Sequence, residues 1–532
     1  MGALELVVLI GVVVLAGEAL ARRIHQPATL ILLVLGSLLG FLPGLHDVVF
    51  APEVVLLLFL PALVYWESLS NTSLREIRAN LRVITFAAVG LVFATAICVG
   101  AAGVALGLSW PVALALGAIV APTDAAAVAG PAAGLPRWAS AILRTESLVN
   151  DGTALAIYSL AVAAVVGGRS VSLAVFGAQF LGSVGASLAI GAAVGALVLR
   201  LRHFVTEELP SSALSLLTPF LAYLPAEAAH ASGVVSVATC GIVIAQGGPR
   251  IIPAAARQLA FAFWQVASFV LNDALFVLTG LQMYRTVTAL GGGRLSLALG
   301  LSGIVIVIVI GLRLLWFASG PLLARMLAPV TVHGPAHRSG PRPPVHARHR
   351  LPIAWAGMRG AISLAAALAL PITTDDGSRF GHRDVLIAVT FAVIVFTVVV
   401  QGLSMQAVLR WSGVHSDRAQ AYEEALALRA ALTSALAALP EVAADIGAPD
   451  AERAALADEY QTRADRLADS MDDTALTVAA GDASVEWHRE LHRALIPIKR
   501  EAVIALRQQG RIDDVVLRLL QERLDAEELR LQ

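Results

Sequence analysis

Residues 114–130 read LALGAIVAPTDAAAVAG, an apolar run broken near its centre by Ala121-Pro122-Thr123-Asp124. Proline removes a backbone donor and leaves carbonyls upstream without partners. An acid in hydrocarbon is expensive unless it is compensated, so it marks a functional site by default. Thr123 and Asp124 therefore put a hydroxyl, a carboxylate and loose carbonyls at one point of a spanning segment, where they can face a cation. The next segment, RTESLVNDGTALAIYSL at 144–160, adds Glu146, Ser147, Asn150 and Asp151 within two helical turns. Ser147 and Asp151 are four apart and share one stripe, with Glu146 and Asn150 on the adjacent stripe about 100° around.

The surrounding chain is of the same kind. Of its 532 residues 57% are hydrophobic and 14% charged, and the mean hydropathy is +0.76, well outside soluble globular usage. Apolar windows near 3–21, 28–46, 50–66, 82–107, 111–130, 140–167, 171–200, 211–229, 232–247, 258–284, 295–324, 351–371 and 384–411 predict thirteen spanning helices. Alternate loops carry Arg22 and Arg23; Arg75, Arg78 and Arg82; Arg137 and Arg144; Arg200 and Arg202; Arg250 and Arg257; and Arg338, Arg342, Arg348 and Arg350. The positive-inside bias makes these loops and the C-terminus cytoplasmic, with the N-terminus outside the inner (plasma) membrane. The first run is followed, not preceded, by its arginines, so it is expected to be a retained span and not a signal peptide. Cys98 and Cys240 both fall in apolar runs, which offers no disulfide framework.

Two arginines lie deep in the spans, Arg313 in IVIVIVIGLRLLWF (304–317) and Arg359 in AWAGMRGAISLA (354–365). Arginine does not deprotonate, so each needs an anion, a helix end or water. The simplest pairing sets Arg313 against Glu146 and Asn150, which leaves Asp124 and Asp151 uncompensated, with Arg359 offsetting charge where broken helices cross. Gly357 and Gly360 around Arg359 interrupt the twelfth span much as Pro122 interrupts the fifth. Discontinuities seven spans apart fit two inverted six-span repeats. A carboxylate poor in water binds a proton or a cation, not both, and that competition is enough for exchange. Oxygen ligands from Thr123, Asp124, Ser147 and Asp151 suit a hard alkali cation, and no His/Cys cluster suits a transition metal.

Together, APTD, ESLVND, the buried Arg313 and GMRG resemble the NhaP/NHE-type sodium/proton exchangers of the cation:proton antiporter superfamily, over residues 1–411. The resemblance implies an all-α, thirteen-span homodimer with crossed, unwound helices. It implies an Na+/H+ antiporter, not an enzyme, with no cofactor and no nucleic-acid partner. Asp151, Asp124, Ser147 and Thr123 would hold the ion, with Asp151 as principal carrier. Glu146, Asn150 and Arg313 would form the supporting polar cluster, and Arg359 would be the broken-helix arginine. The Asn150-Asp151 pair is the mark of electroneutral exchange. Ala125 stands where many members have proline, which leaves Na+, Li+ and K+ open. A cation channel and an intramembrane aspartyl enzyme are the alternatives; a lone asymmetric Asp pair beside arginine is poor design for a channel filter.

Other polar residues receive quieter readings. Asn272-Asp273 has the look of a second ion site as the sharper reading and a dimer interface or hydrated funnel as the plainer one; Glu67 is assigned to the entrance funnel, and Glu18 to an interfacial partner of Arg22. His333, His337, His346 and His349 belong to a basic loop for which a pH sensor is the sharper and a disordered segment the plainer reading. Residues 412–532 form a cytosolic α-helical domain with breaks expected at Pro440, Gly447–Pro449 and Gly510. Its final stretch, 511–531, repeats Val515, Val516, Leu519, Leu520, Leu524 and Leu529 as an amphipathic helix.

Overall fold

The structure, a computed structural model, describes residues 3–24, 26–42, 44–45, 55–70, 85–124, 127–128, 131, 135, 137–168, 173–205, 207–290, 292–326, 347–413, 419–472 and 485–530. The first thirteen apolar windows each carry a helix or a helix pair. In order they are α1 (Ala3–Ile24), α2 (Ala28–Gly40), α3 (Val55–Phe59 running into Leu60–Ser70), α4 (Thr85–Gly90 running into Leu91–Ala105), α5 (Trp110–Val120) and α6 (Arg137–Val166). They continue as α7 (Leu173–Arg202), α8 (Glu208–Ala228), α9 (Gly233–Ile251), α10 (Ala254–Ala289) and α11 (Gly292–Met326). The twelfth is split into α12a (Ala347–Trp355) and α12b (Ala361–Leu368), and α13 runs from Arg383–Phe396 through Thr397–Gln401 to Gly402–Ser412. Arg75, Arg78, Arg82, Ala125, Arg338, Arg342, His333, His337 and His346 lie outside the described residues.

The outward faces are apolar. Leu4, Val7, Val8, Val12 and Leu15 of α1 are each more than half exposed, an arrangement water would penalise and lipid tails accommodate. Between helices the packing uses small residues that let backbones approach. A Cβ built on Gly36 of α2 would stand 2.2 Å from the Val277 carbonyl oxygen of α10, and one on Gly280 of α10 would stand 2.3 Å from that of Leu33. Those two glycines admit a helix contact that any side chain would force apart.

The region 211–247 resolves into α8 and α9 around His230, which takes a left-handed φ of 54°. Ser232 then caps α9, its Oγ accepting from the Val235 amide.

Four further helices follow: α14 (Ala419–Ile446), α15 (Asp450–Asp472), α16 (Val485–Gln508) and α17 (Asp514–Arg530). By length and composition α14 could also cross a membrane. Its buried face, however, packs Leu432, Ala435 and Leu439 against Leu456 and Tyr460 of α15 and Leu491 and Leu495 of α16. The break expected at Pro440 is absent, because α14 runs through it. A proline this close to a helix end removes one hydrogen bond that tertiary packing offsets. The breaks at Gly447 and Gly510 are present, each glycine with positive φ. In α17 the buried face is Val516, Leu517, Leu520 and Leu524, and Asp513 Oδ1 accepts from the amides of Val515 and Val516 at its start.

Ion pairs knit this bundle. Burial alone would raise the Glu527 carboxyl, but the hydrogen bond with His492 and the Lys499 ammonium at 2.8 Å outweigh it and hold Glu527 at about 2. The stability this lends is present above the ordinary value of 4.5 and is lost as pH falls toward 2. The bundle touches the spans through Arg257 of α10, whose Nε donates to Asp525 Oδ2 at 2.9 Å, and through Arg250, which pairs with Glu501 at 2.8 Å.

Candidate functional site

Helix α5 ends at Val120, and residues 121–124 are non-helical, as Pro122 demands. The break between α12a and α12b, residues 356–360, lies against it: the Asp124 amide donates to the Met358 carbonyl at 2.9 Å. The two interruptions thus exchange a backbone hydrogen bond in the interior. Past the break, Asp124 Oδ1 accepts from the Ala127 amide at 3.2 Å, as a cap does at the start of a helical turn.

Arg359 supplies donors where the chain has lost them. Its Nε donates to the Val120 carbonyl at 2.9 Å, its Nη2 to that of Ala121 at 3.4 Å, and its Nη1 to that of Gly357. Its own amide donates to Thr397 Oγ1 of α13 at 3.1 Å. The guanidinium, 1% exposed, is spent on carbonyls of both broken helices.

Arg313 of α11 is spent elsewhere. It forms a two-pronged ion pair with Glu146, Nη1 to Oε1 at 2.5 Å and Nη2 to Oε2 at 3.1 Å, both side chains 1% exposed. Its remaining donors reach the carbonyls of Ala354 and Ile353 near the end of α12a. Asn150 does not join it, contrary to the sequence-based pairing; its Nδ2 donates to Thr123 Oγ1 at 2.7 Å. Glu146 occupies both outer prongs of the guanidinium, and the freed hydroxyl at the α5 break offers the amide a better acceptor. The Glu146/Asn150 stripe of α6 therefore reaches both Arg313 and the α5 break.

Asp151 is buried, and its Oδ2 has no hydrogen-bond donor among the described residues; Asn150 Oδ1 is likewise without one. Asp124 and Glu67 lie within electrostatic reach of Asp151. Ser147 and Thr123 are buried on the same segments. The site thus gathers three carboxylates while both deep arginines are committed to other partners. Among the described residues no three His, Cys, Asp or Glu side chains converge as a chelating set; the carboxylates are neighbours, not a ready-made cage. Glu67 corrects the sequence reading, which left it in the funnel. Its position inside the apolar window of α3 was the available signal, but only the packing of α3 beside α6 brings it within electrostatic reach of Asp124 and Asp151, with Arg144 also in range of Glu67.

Asp273 on α10 lies apart. It is buried, its Oδ2 has no partner among the described residues, and the Asn272 amide at 3.5 Å and Glu18 of α1 are its polar neighbours. Glu18 pairs with Arg22 at 3.5 Å, as its spacing suggests.

Gly360 leaves space for the Asp124 carboxylate, since a Cβ built there would stand 1.7 Å from Asp124 Oδ2. Gly360→Ala is expected to turn that carboxylate away, raising the cation concentration needed for half-maximal exchange, with an overpacking cost of about 1–3 kcal/mol. Gly311→Ala, where nothing lies within 4 Å, is the control; equal behaviour of the two variants in a cation titration would remove Gly360 from the site.

The chain as a whole has relatives among known proteins. Residues 8–411 match the family model described as sodium/hydrogen exchanger, transmembrane. The chain is 42% identical over 532 residues to an uncharacterized Na(+)/H(+) exchanger of Mycobacterium tuberculosis, covering 99% of this chain and 96% of that one. It is 31% identical to the Na(+)/H(+) antiporter ApNhaP of Aphanothece halophytica, covering 78% and 76%. In fold it is similar to the sodium proton antiporter MjNhaP1 of Methanocaldococcus jannaschii, with a TM-score of 0.54 at 18% identity, covering 77% of this chain and 99% of that one. Matched along its whole membrane region and built around two crossed, broken helices, the chain belongs to the sodium/hydrogen exchanger family.

Proposed function

We propose that the chain is a secondary antiporter that exchanges Na+ for H+, with Li+ or K+ as further substrates, by competition of cation and proton for Asp124 and Asp151. The observation that carries this reading is the state of the buried cations. Arg313 is neutralised by Glu146 and Arg359 is bound to backbone carbonyls, so Asp151 has no fixed counter-charge among the described residues. A carboxylate so placed must carry a proton or a metal ion. Thr123, Ser147 and the Asp pair supply oxygen ligands, with Glu67 adding negative potential from α3.

Transport then requires that only a loaded site crosses the barrier, by movement of the half that holds α5, α6 and α12 against the remainder. One cation against one proton leaves the cycle electroneutral, and Asn150, a neutral amide where a second acid would add charge, supports that stoichiometry. The N-terminus is read as outside and the C-terminus as cytoplasmic, on the arginine distribution. Residues 1–411 act as the exchanger and 412–532 as a cytosolic helical domain. A homodimer would give the bare apolar face of α1 a protein partner in place of lipid.

In proteoliposomes with a pH dye inside, an imposed sodium gradient is expected to drive proton flux at a rate that an imposed membrane potential leaves unchanged. A rate that follows the potential would refute electroneutrality. Proton movement without a counter-cation would favour a channel, and substrate turnover without flux an enzyme.

A further inference from the structure

Where α17 meets the basic ends of the spans, a cleft of about 50 Å³ lies among α3, α7, α8, α9, α10 and α17. Its polar lining consists of Arg202, Arg257, Arg518, Gln521, Tyr65 and Ser215, and no Asp or Glu among the described residues lines it. Two of the three guanidinium groups have company. Arg257 is held by Asp525, and Arg518 donates to the Leu69 carbonyl at 3.4 Å with Glu522 within electrostatic reach.

Arg202 differs. It is the last residue of α7 and only 3% exposed. Its Nη1 donates to Ser211 Oγ at 3.0 Å, its Nε has no acceptor, and no carboxylate pairs with it among the described residues. Across the cleft, Gln521 Nε2 of α17 is also buried without an acceptor. The carbonyl end of α7 favours a cation there by about 0.3–1 kcal/mol. That is small beside the several kcal/mol of burying a guanidinium that cannot shed its proton.

We propose that this cleft binds a phosphate group, carried by an anionic lipid headgroup or by a soluble phosphate compound, between Arg202 and Gln521. The donors line one cleft from a span and from the tail helix, which suits an acceptor with oxygens in several directions; guanidinium and phosphate match in charge and hydrogen-bond geometry. The rest of the lining, including Leu69, Ile244 and Phe261, is apolar. Occupancy would tie α17 to α7 across a cleft that is also lined by α3, the helix that carries both Tyr65 and Glu67 of the ion site. The tail would thereby report the ligand to the exchanger.

This inference stands apart from the antiport reading, because its test reads binding and not transport. The full chain is placed in nanodiscs of phosphatidylcholine, and its apparent melting temperature and binding isotherm are followed on adding inorganic phosphate or on mixing phosphatidylglycerol into the disc, against chloride at equal ionic strength. At least one probe is expected to raise the melting temperature, phosphate alone indicating a soluble ligand and phosphatidylglycerol alone a lipid. Arg202→Gln and Gln521→Leu are each expected to weaken that binding by about tenfold or more, the loss of a charge-assisted or buried hydrogen bond. No response to either probe overturns the proposal, as does wild-type affinity in both variants. Should Arg202→Gln not fold, Gln521→Leu decides the matter: it removes no charge, and unchanged affinity in it overturns the proposal.

Discussion

Asp151→Asn is expected to reduce sodium-driven proton flux to the level of empty proteoliposomes while leaving insertion and folding intact. The carboxylate is buried, with one oxygen unmatched by any donor among the described residues. In the antiport reading it is the group that binds a proton in one half of the cycle and a cation in the other. An amide of the same shape can do neither, since it neither titrates nor offers a charge. Folding should survive because removing an uncompensated buried charge relieves a penalty. The check is a paired measurement: melting temperature and size-exclusion profile at wild-type values or better, and no dequenching of the internal dye on adding sodium, lithium or potassium. Retained exchange in a properly folded variant would move the carrier role to another residue, and the nearest candidates are Asp124 and Glu67.

Breaking the Arg313–Glu146 pair has the largest expected effect on stability. Both side chains are 1% exposed and joined by two hydrogen bonds, so Arg313→Met strands a buried carboxylate and Glu146→Leu strands a buried guanidinium. Each single change is expected to cost about 3–5 kcal/mol, read as a lowered melting temperature in detergent. The double variant should recover much of that loss, because it leaves no unpaired charge. Recovery stays incomplete, since the carbonyls of Ala354 and Ile353 lose the donors Arg313 gave them. Additive losses in the double variant would show that the two residues do not act as a pair.

Much of this architecture was legible one residue at a time. The hydropathy pattern located a helix or helix pair in each of its thirteen windows, since in lipid the backbone must satisfy itself within a helix and long apolar runs have no other outcome. Pro122 announced the α5 break because its missing donor is a covalent fact. Partner choice was less accessible. Asn150 was expected beside Arg313 and donates to Thr123 instead, because both acceptors are compatible with its place on α6 and only the approach of α5 selects between them. Pro440 was read as a stop and lies inside α14, where packing against α15 and α16 overrides a local preference.

The sequence by itself determined that the chain lies in a membrane as a series of helices, that two of them are interrupted, and that very few charged groups are buried among them. Those properties follow from hydrophobicity and backbone chemistry, which act locally. The tertiary structure decided how the buried charges are distributed: Arg313 goes to Glu146, Arg359 goes to the carbonyls of the broken helices, and Glu67 from α3 arrives beside Asp124 and Asp151. Such assignments join segments as much as 239 residues apart. They depend on which helices cross and where, which no local pattern encodes.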